Sequence, residues 1–171
     1  MCRCLRDFFL ISLLILFRAI PAMAQIETGE TPYSMRLKGA FPEPPVINMP
    51  QYDYDKLRKE SLENNHLKAL RYAKMIHVDI PLKKKSEVIS LGEGTLYRLA
   101  VRSKAAHSLS LVFNKFRIPE GAKLFVYNKD HTHIRGAFTV RNNKASGVFP
   151  VAPVKGEHII IEYFEPDDRP F

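Results

Sequence analysis

LYRLAVR, residues 96–102, decides the fold class. Tyr97, Leu99 and Val101 alternate with Arg98 and Arg102, so an extended chain puts the apolar set on one face and the arginines on the other. A helix would scatter the same residues around its circumference. The stretch predicts a strand with Arg98 and Arg102 on the face opposite its apolar residues.

The same period continues outward in both directions. His107 to Phe113 sets Leu109, Leu111 and Phe113 inward and Ser108 and Ser110 outward. Upstream, RYAKMIHVDIPL (71–82) alternates at Ile76, Val78 and Ile80, and Val88 to Leu91 is a short strand before a Gly92-Glu93-Gly94 turn. Downstream, the Ile118-Pro119-Glu120-Gly121 turn precedes a dense strand, Leu124 to Tyr127, and Asn128-Lys129-Asp130 turns the chain again. Ile134 to Val140 reads as a strand interrupted at Gly136, followed by a loop at Asn142-Asn143-Lys144. Lys155-Gly156-Glu157 turns into the last strand, HIIIEYF (158–164), with Glu157, Glu162 and Glu165 as its solvent side. Short strands with turn signals between them, and no helical pattern separating them, predict a mainly β chain: an antiparallel β-sandwich of jelly-roll type over residues 70–166.

Two smaller pieces precede the sandwich. Residues 25–51 form an extended lead-in, where Pro32, Pro42, Pro44, Pro45 and Pro50 break any regular ladder. Residues 52–69 hold one short helix and a linker. Asp53 or Asp55 caps the helix, Leu57, Leu62 and Leu67 lie near one face, and Asn64-Asn65 ends it. Residues 167–171 are a tail.

The first 24 residues read as an export signal. Arg3 and Arg6 precede an apolar run from Phe8 to Phe17, and Ala22-Met23-Ala24 supplies small residues at the −3 and −1 positions. A mostly apolar run of ten residues is too short for a bilayer core of about 30 Å. Cleavage near Ala24 leaves 147 of the 171 residues, secreted to the periplasm or the exterior, with no stable membrane insertion. The leader carries three basic residues and one acid, so the charge of +8 becomes +6. Both cysteines, Cys2 and Cys4, leave with it. Disulfide staples, thiol nucleophiles and cysteine–zinc sites are thereby excluded for the exported chain, which must rely on its apolar core. The positive charge is dispersed, Lys83-Lys84-Lys85 is a solvated loop, and export argues against a nucleic-acid partner.

The candidate chemistry is thin. Ala105-Ala106-His107-Ser108 has the look of a general base in a trypsin-like protease, yet no Gly-Asp-Ser-Gly segment offers a nucleophile and oxyanion hole. His131-Thr132-His133 places two imidazoles on one face of a strand, but lacks a third metal ligand and sits beside a turn. His66 and His77 stand alone, and the neighbouring carboxylates Asp167 and Asp168 point apart in an extended segment. Tyr97, Phe113, Phe116, Phe125, Tyr127, Phe138, Phe149, Tyr163 and Phe164 read as core. They leave an aromatic, carbohydrate-binding surface as the competing use, although tryptophan, the favoured sugar-stacking residue, is missing. No catalytic, cofactor-binding or metal-binding residue is assigned, no cofactor is expected, and the chain by itself is not read as an enzyme.

The order of segments carries one resemblance. Thr31-Pro-Tyr-Ser34, Pro45-Val-Ile-Asn-Met-Pro50, Leu96 to Ser103, Ser108 to Phe113, Ile118-Pro-Glu-Gly-Ala-Lys-Leu-Phe-Val-Tyr127, Gly136-Ala-Phe-Thr139, Asn142-Asn143, Gly147-Val-Phe149 and Val154 to Pro166 follow one another. This arrangement resembles the N-terminal, propeptide-like region of secreted lysyl-endopeptidase-like and other trypsin-like serine proteases of Bacteroidetes-type bacteria. The resemblance implies a non-catalytic β domain that assists, inhibits or positions a peptidase, in cis or in trans. It also implies one more strand and then the protease. The sequence stops at Phe171, so a fragment, a truncated frame or a degenerate paralogue is expected, with one strand left unpaired by the missing neighbour. The alternative is an autonomous exported module binding carbohydrate or another cell-surface ligand.

Overall fold

A computed structural model describes residues 26–37, 41–63 and 73–170. The expected leader, both cysteines, His66, Leu67 and the end of the helix at Asn64-Asn65 lie outside the described residues.

The molecule is mainly β. Its elements in chain order are α1 (Tyr33–Arg36), β1 (Val46–Asn48), α2 (Tyr54–Glu63), α3 (Leu82–Lys85), β2 (Glu87–Ser90), β3 (Gly94–Arg102), β4 (Ser108–Phe113), β5 (Lys123–Asn128), β6 (Ile134–Phe138), β7 (Phe149–Lys155) and β8 (His158–Pro166). Six strands form a mixed sheet in the order β1-β3-β8-β5-β6, with β2 also on β3, and β4 pairs with β7 in a separate antiparallel ribbon.

β3 and β8 are the spine. They pair antiparallel from Gly94↔Pro166 to Arg102↔His158, and β5 runs along the other edge of β8. β8 is thus flanked on both edges, by β3 and β5. Its two faces are also covered, one by each core, and a strand covered on both faces reads as a nearly continuous apolar run. Ile159, Ile160, Ile161, Tyr163 and Phe164 are all buried. Gly94 allows the closest approach of the pair, since a Cβ there would run into the Glu165 carbonyl and the Phe164 ring.

The alternation sends side chains to two different cores. Val101, Leu124, Val126, Phe138, Ile159, Ile161 and Tyr163 meet Phe149, Val151 and Val154 of β7, with Leu109, Leu111 and Phe113 of β4 against them. Leu96, Ala100, Phe125, Tyr127, Ala137, Ile160 and Phe164 face the other way and are covered by Tyr33, Met35 and Phe41 of the lead-in. Burying one such side chain is worth about 1.5–3 kcal/mol, so each layer contributes on its own account.

Three expectations are corrected, and one strand appears where the sequence carries no strand signal. Residues 73–81 are not a strand despite Ile76, Val78 and Ile80; alternation without a neighbouring strand to bond has nothing to stabilise it. Lys83–Lys85 belong to a helical turn rather than a loop. β7 was not foreseen because Pro150 and Pro153 mask it; both side chains face solvent on a ribbon strand, where proline is tolerated. The Pro-rich lead-in is not irregular throughout: β1 pairs parallel with β3, Val46 opposite Ala100. The helix over 52–69 is present as Tyr54–Glu63, with Asp53 accepting the Lys56 N–H at 2.9 Å.

Candidate functional site

The lead-in crosses the sheet as a strap. At one edge the Thr28 and Gly29 N–H groups donate to the Ala137 and Gly136 carbonyls of β6. At the other, the Ala100 N–H donates to the Pro45 carbonyl and the Met49 N–H to the Arg102 carbonyl. Between these edges α1 lies on the sheet, its Tyr33 ring stacked on Phe164 at 4.3 Å.

What α1 sits on is a buried carboxylate. Glu162 is 0% exposed and accepts the Tyr127 hydroxyl at 2.9 Å. The Ser34 N–H, at the first turn of α1, also points to it, at 3.3 and 3.4 Å from its two oxygens. With the Tyr127 proton committed, the Ser34 hydroxyl donates to the Tyr127 oxygen at 2.9 Å. Arg98, opposite Glu162 in the β3–β8 register, places Nε 3.9 Å from it and donates to the Pro42 carbonyl at 2.9 Å and to Glu87 at 3.3 Å. Burial, and next the Glu162 charge, push the Tyr127 hydroxyl up out of its ordinary range, so it remains a proton donor. A buried acid of this kind is stable only while each of these donors is in place.

Glu165, three residues on and facing the opposite side of β8, is also buried. It accepts the Lys83 ammonium at 2.7 and 2.8 Å and the Tyr163 hydroxyl at 3.2 Å. Glu162 and Glu165 are thus not the solvent side of the last strand, and Arg98 does not face solvent. The spacing of the glutamates along the strand is irregular, so no alternation marks the side each one takes. The available signal was an acid enclosed by Ile159 to Ile161 and Tyr163-Phe164, an apolar environment that a solvated glutamate does not need. Glu157 does lie near the surface, where the Ala105 N–H and then Arg102 hold its carboxyl below the usual range.

The remaining candidates do not converge. His107 is exposed at the start of β4, and His77 is exposed in the segment before α3. His131 lies edge-on to Tyr127, while His133 Nδ1 accepts the Lys155 N–H at 2.9 Å, so the two imidazoles are occupied by local packing. Asp167 and Asp168 are exposed. Among the described residues no three His, Cys, Asp or Glu side chains gather as a metal site would need. The nine aromatic residues are buried or half-buried, with Phe116 and Phe149 stacked at 4.3 Å. A shallow depression of about 390 Å³ opens at the end of the sheet beside Arg102, Lys129, Lys155 and His158. Among the described residues no helix is long and apolar enough to cross a membrane.

No protein-family model, curated protein or solved structure matches this chain.

Proposed function

We propose that the chain is a non-catalytic, exported binding module of the prodomain kind, acting on a trypsin-like serine peptidase in cis or in trans. The observation that supports this reading is the strap. The first segment of the resemblance, Thr31–Ser34, is seated by Glu162 in the last one, Val154–Pro166. Likewise Pro45, in the second segment, bonds Ala100 in the third. Segments far apart in sequence are thereby bonded to one another, as a module carrying all of them requires. We read the β4–β7 ribbon over the central sheet as the second layer of a sandwich.

Such a module works through linkage: by binding the folded peptidase and not its unfolded chain, it stabilises the folded form, by about 2.7 kcal/mol at a hundredfold excess over Kd. None of its own groups enters the reaction; its contribution is surface and position. The test is to add the purified chain to a denatured trypsin-like, lysine-directed peptidase on dilution, and separately to the active enzyme. A higher refolding yield, a raised unfolding midpoint or slowed hydrolysis is expected. Unchanged values of all three contradict the reading.

A further inference from the structure

We infer that Ala73–Ile80 is a site of limited proteolysis, cut first after Lys74, and that the strap survives the cut as a separately seated, noncovalent piece of the molecule.

The segment has the form a peptidase needs. It contains neither helix, strand, turn nor bend, and among the described residues its backbone makes no hydrogen bond. Met75 is 73% exposed, Val78 51%, and Lys74 is exposed beside them. Peptidases bind their substrates extended, and an exposed run without backbone bonds can enter such a cleft without prior unfolding. The other described lysines in loops are held, Lys115 by the Phe116 N–H on the Gly147 carbonyl. The turn after Lys104 is fixed by the Ala105 N–H on Glu157 and the Ala106 N–H on the Ser103 carbonyl. Lys144 accepts the Gly147 N–H through its carbonyl, and the Lys129 N–H is bonded to the His158 carbonyl. Lys56 and Lys59 lie in α2, and Lys84 and Lys85 in α3, so each must unwind first.

Both sides of the cut are anchored on the same strand. Upstream, the strap is fixed by Ser34 and Tyr33 to Glu162 and Phe164, by Lys123 to Glu30, and by the β1 pairing. Downstream, Lys83 of α3 is fixed to Glu165. Severing the tether converts an intramolecular contact, with an effective concentration of order millimolar, into a bimolecular one. The buried Tyr33 ring and the strap's backbone bonds at both sheet edges are what then hold it. Loss of the strap would uncover Phe125, Tyr127, Phe164 and Glu162, so the cut creates a two-piece protein with a releasable cover. The inference deepens the proposed function by naming the segment that a lysine-directed peptidase would engage, and rests on that reading only for the identity of the natural peptidase.

The experiment is a time course of the purified chain with a trace of lysine-specific endopeptidase, followed by intact mass and by size exclusion with and without denaturant. Expected are two fragments split between Lys74 and Met75 that co-elute natively and separate in denaturant. Lys74→Gln, an exposed change, should slow the first cut at least about tenfold, because the other described lysines need local opening. A first cut elsewhere, an unchanged rate in Lys74→Gln, or fragments that part under native conditions overturns the inference. Failure of the peptidase to respond to the chain in the preceding experiment overturns the partner reading alone.

Discussion

The two faces of the central sheet are covered by different means. The β4–β7 ribbon lies on one face through side chains such as Phe149, Val151 and Val154, with Phe149 edge-on to Phe138 at 4.9 Å. The strap lies on the other through Tyr33, Met35 and Phe41, and through a buried carboxylate that gathers Ser34, Tyr127 and Arg98. Apolar contact is non-directional and tolerates small shifts, whereas the carboxylate contact holds only in one geometry. The ribbon is therefore joined by area and the strap by direction. This difference makes the strap the part that a single substitution, or acid, can loosen without dissolving the rest.

The largest effect should come from breaking the apolar face. Phe149→Ala leaves a void under the ribbon between Phe116 and Phe138, and a global loss of about 3–5 kcal/mol is expected in denaturant unfolding. Glu162→Gln breaks the strap face instead. It removes the charge facing Arg98 and disrupts the acceptor shared by Tyr127 and Ser34, at a cost of about 1–3 kcal/mol. Ser34→Ala keeps the backbone contact and removes only the hydroxyl bond to Tyr127, so about 1 kcal/mol is expected by the same measurement.

Acid sharpens the comparison with a smaller effect. The Lys123 hydrogen bond holds the Glu30 carboxyl below its ordinary 4.5 although burial opposes it. A group depressed in the folded state binds fewer protons there than when unfolded. Its contribution is therefore complete above 4.5 and is lost as pH falls through the lower folded value. Protection of the amides in residues 26–37, measured relative to their intrinsic exchange rates, should fall on acidification while that of β7 does not, and Glu30→Gln should flatten that response. His158 adds a second slope. Burial first, then Lys129 and Arg102, lower its pKa from 6.5, so its contribution is present above 6.5 and fades as pH falls through the folded value. His158→Gln should remove that part of the stability–pH curve.

How legible the two faces were in the sequence follows from how each is held. β3, β4, β5 and β8 show themselves by alternation or by an apolar run, because burying area leaves a compositional trace. Leu109, Leu111 and Phe113 do turn inward, and the nine aromatic residues do go to the interior. The strap left no such trace. β1 is three residues among prolines, and its partner lies more than fifty positions away. Parity placed Arg98 opposite Tyr97, Leu99 and Val101, but parity cannot say whether that face meets water or another segment. The alternation at Ile76, Val78 and Ile80 misled for the same reason: a strand is made by its neighbour. The cluster around Glu162 was hidden because it is assembled from Ser34, Arg98, Tyr127 and Glu162, four segments brought together only by the topology.

The strap is an independently held cover, fixed through Glu162. Hydrogen exchange measured peptide by peptide on the intact chain and on Glu162→Gln tests it most directly. Residues 26–37 should lose protection in the variant while β4 and β7 keep theirs. Equal loss across both faces, or unchanged protection of the strap, would contradict it.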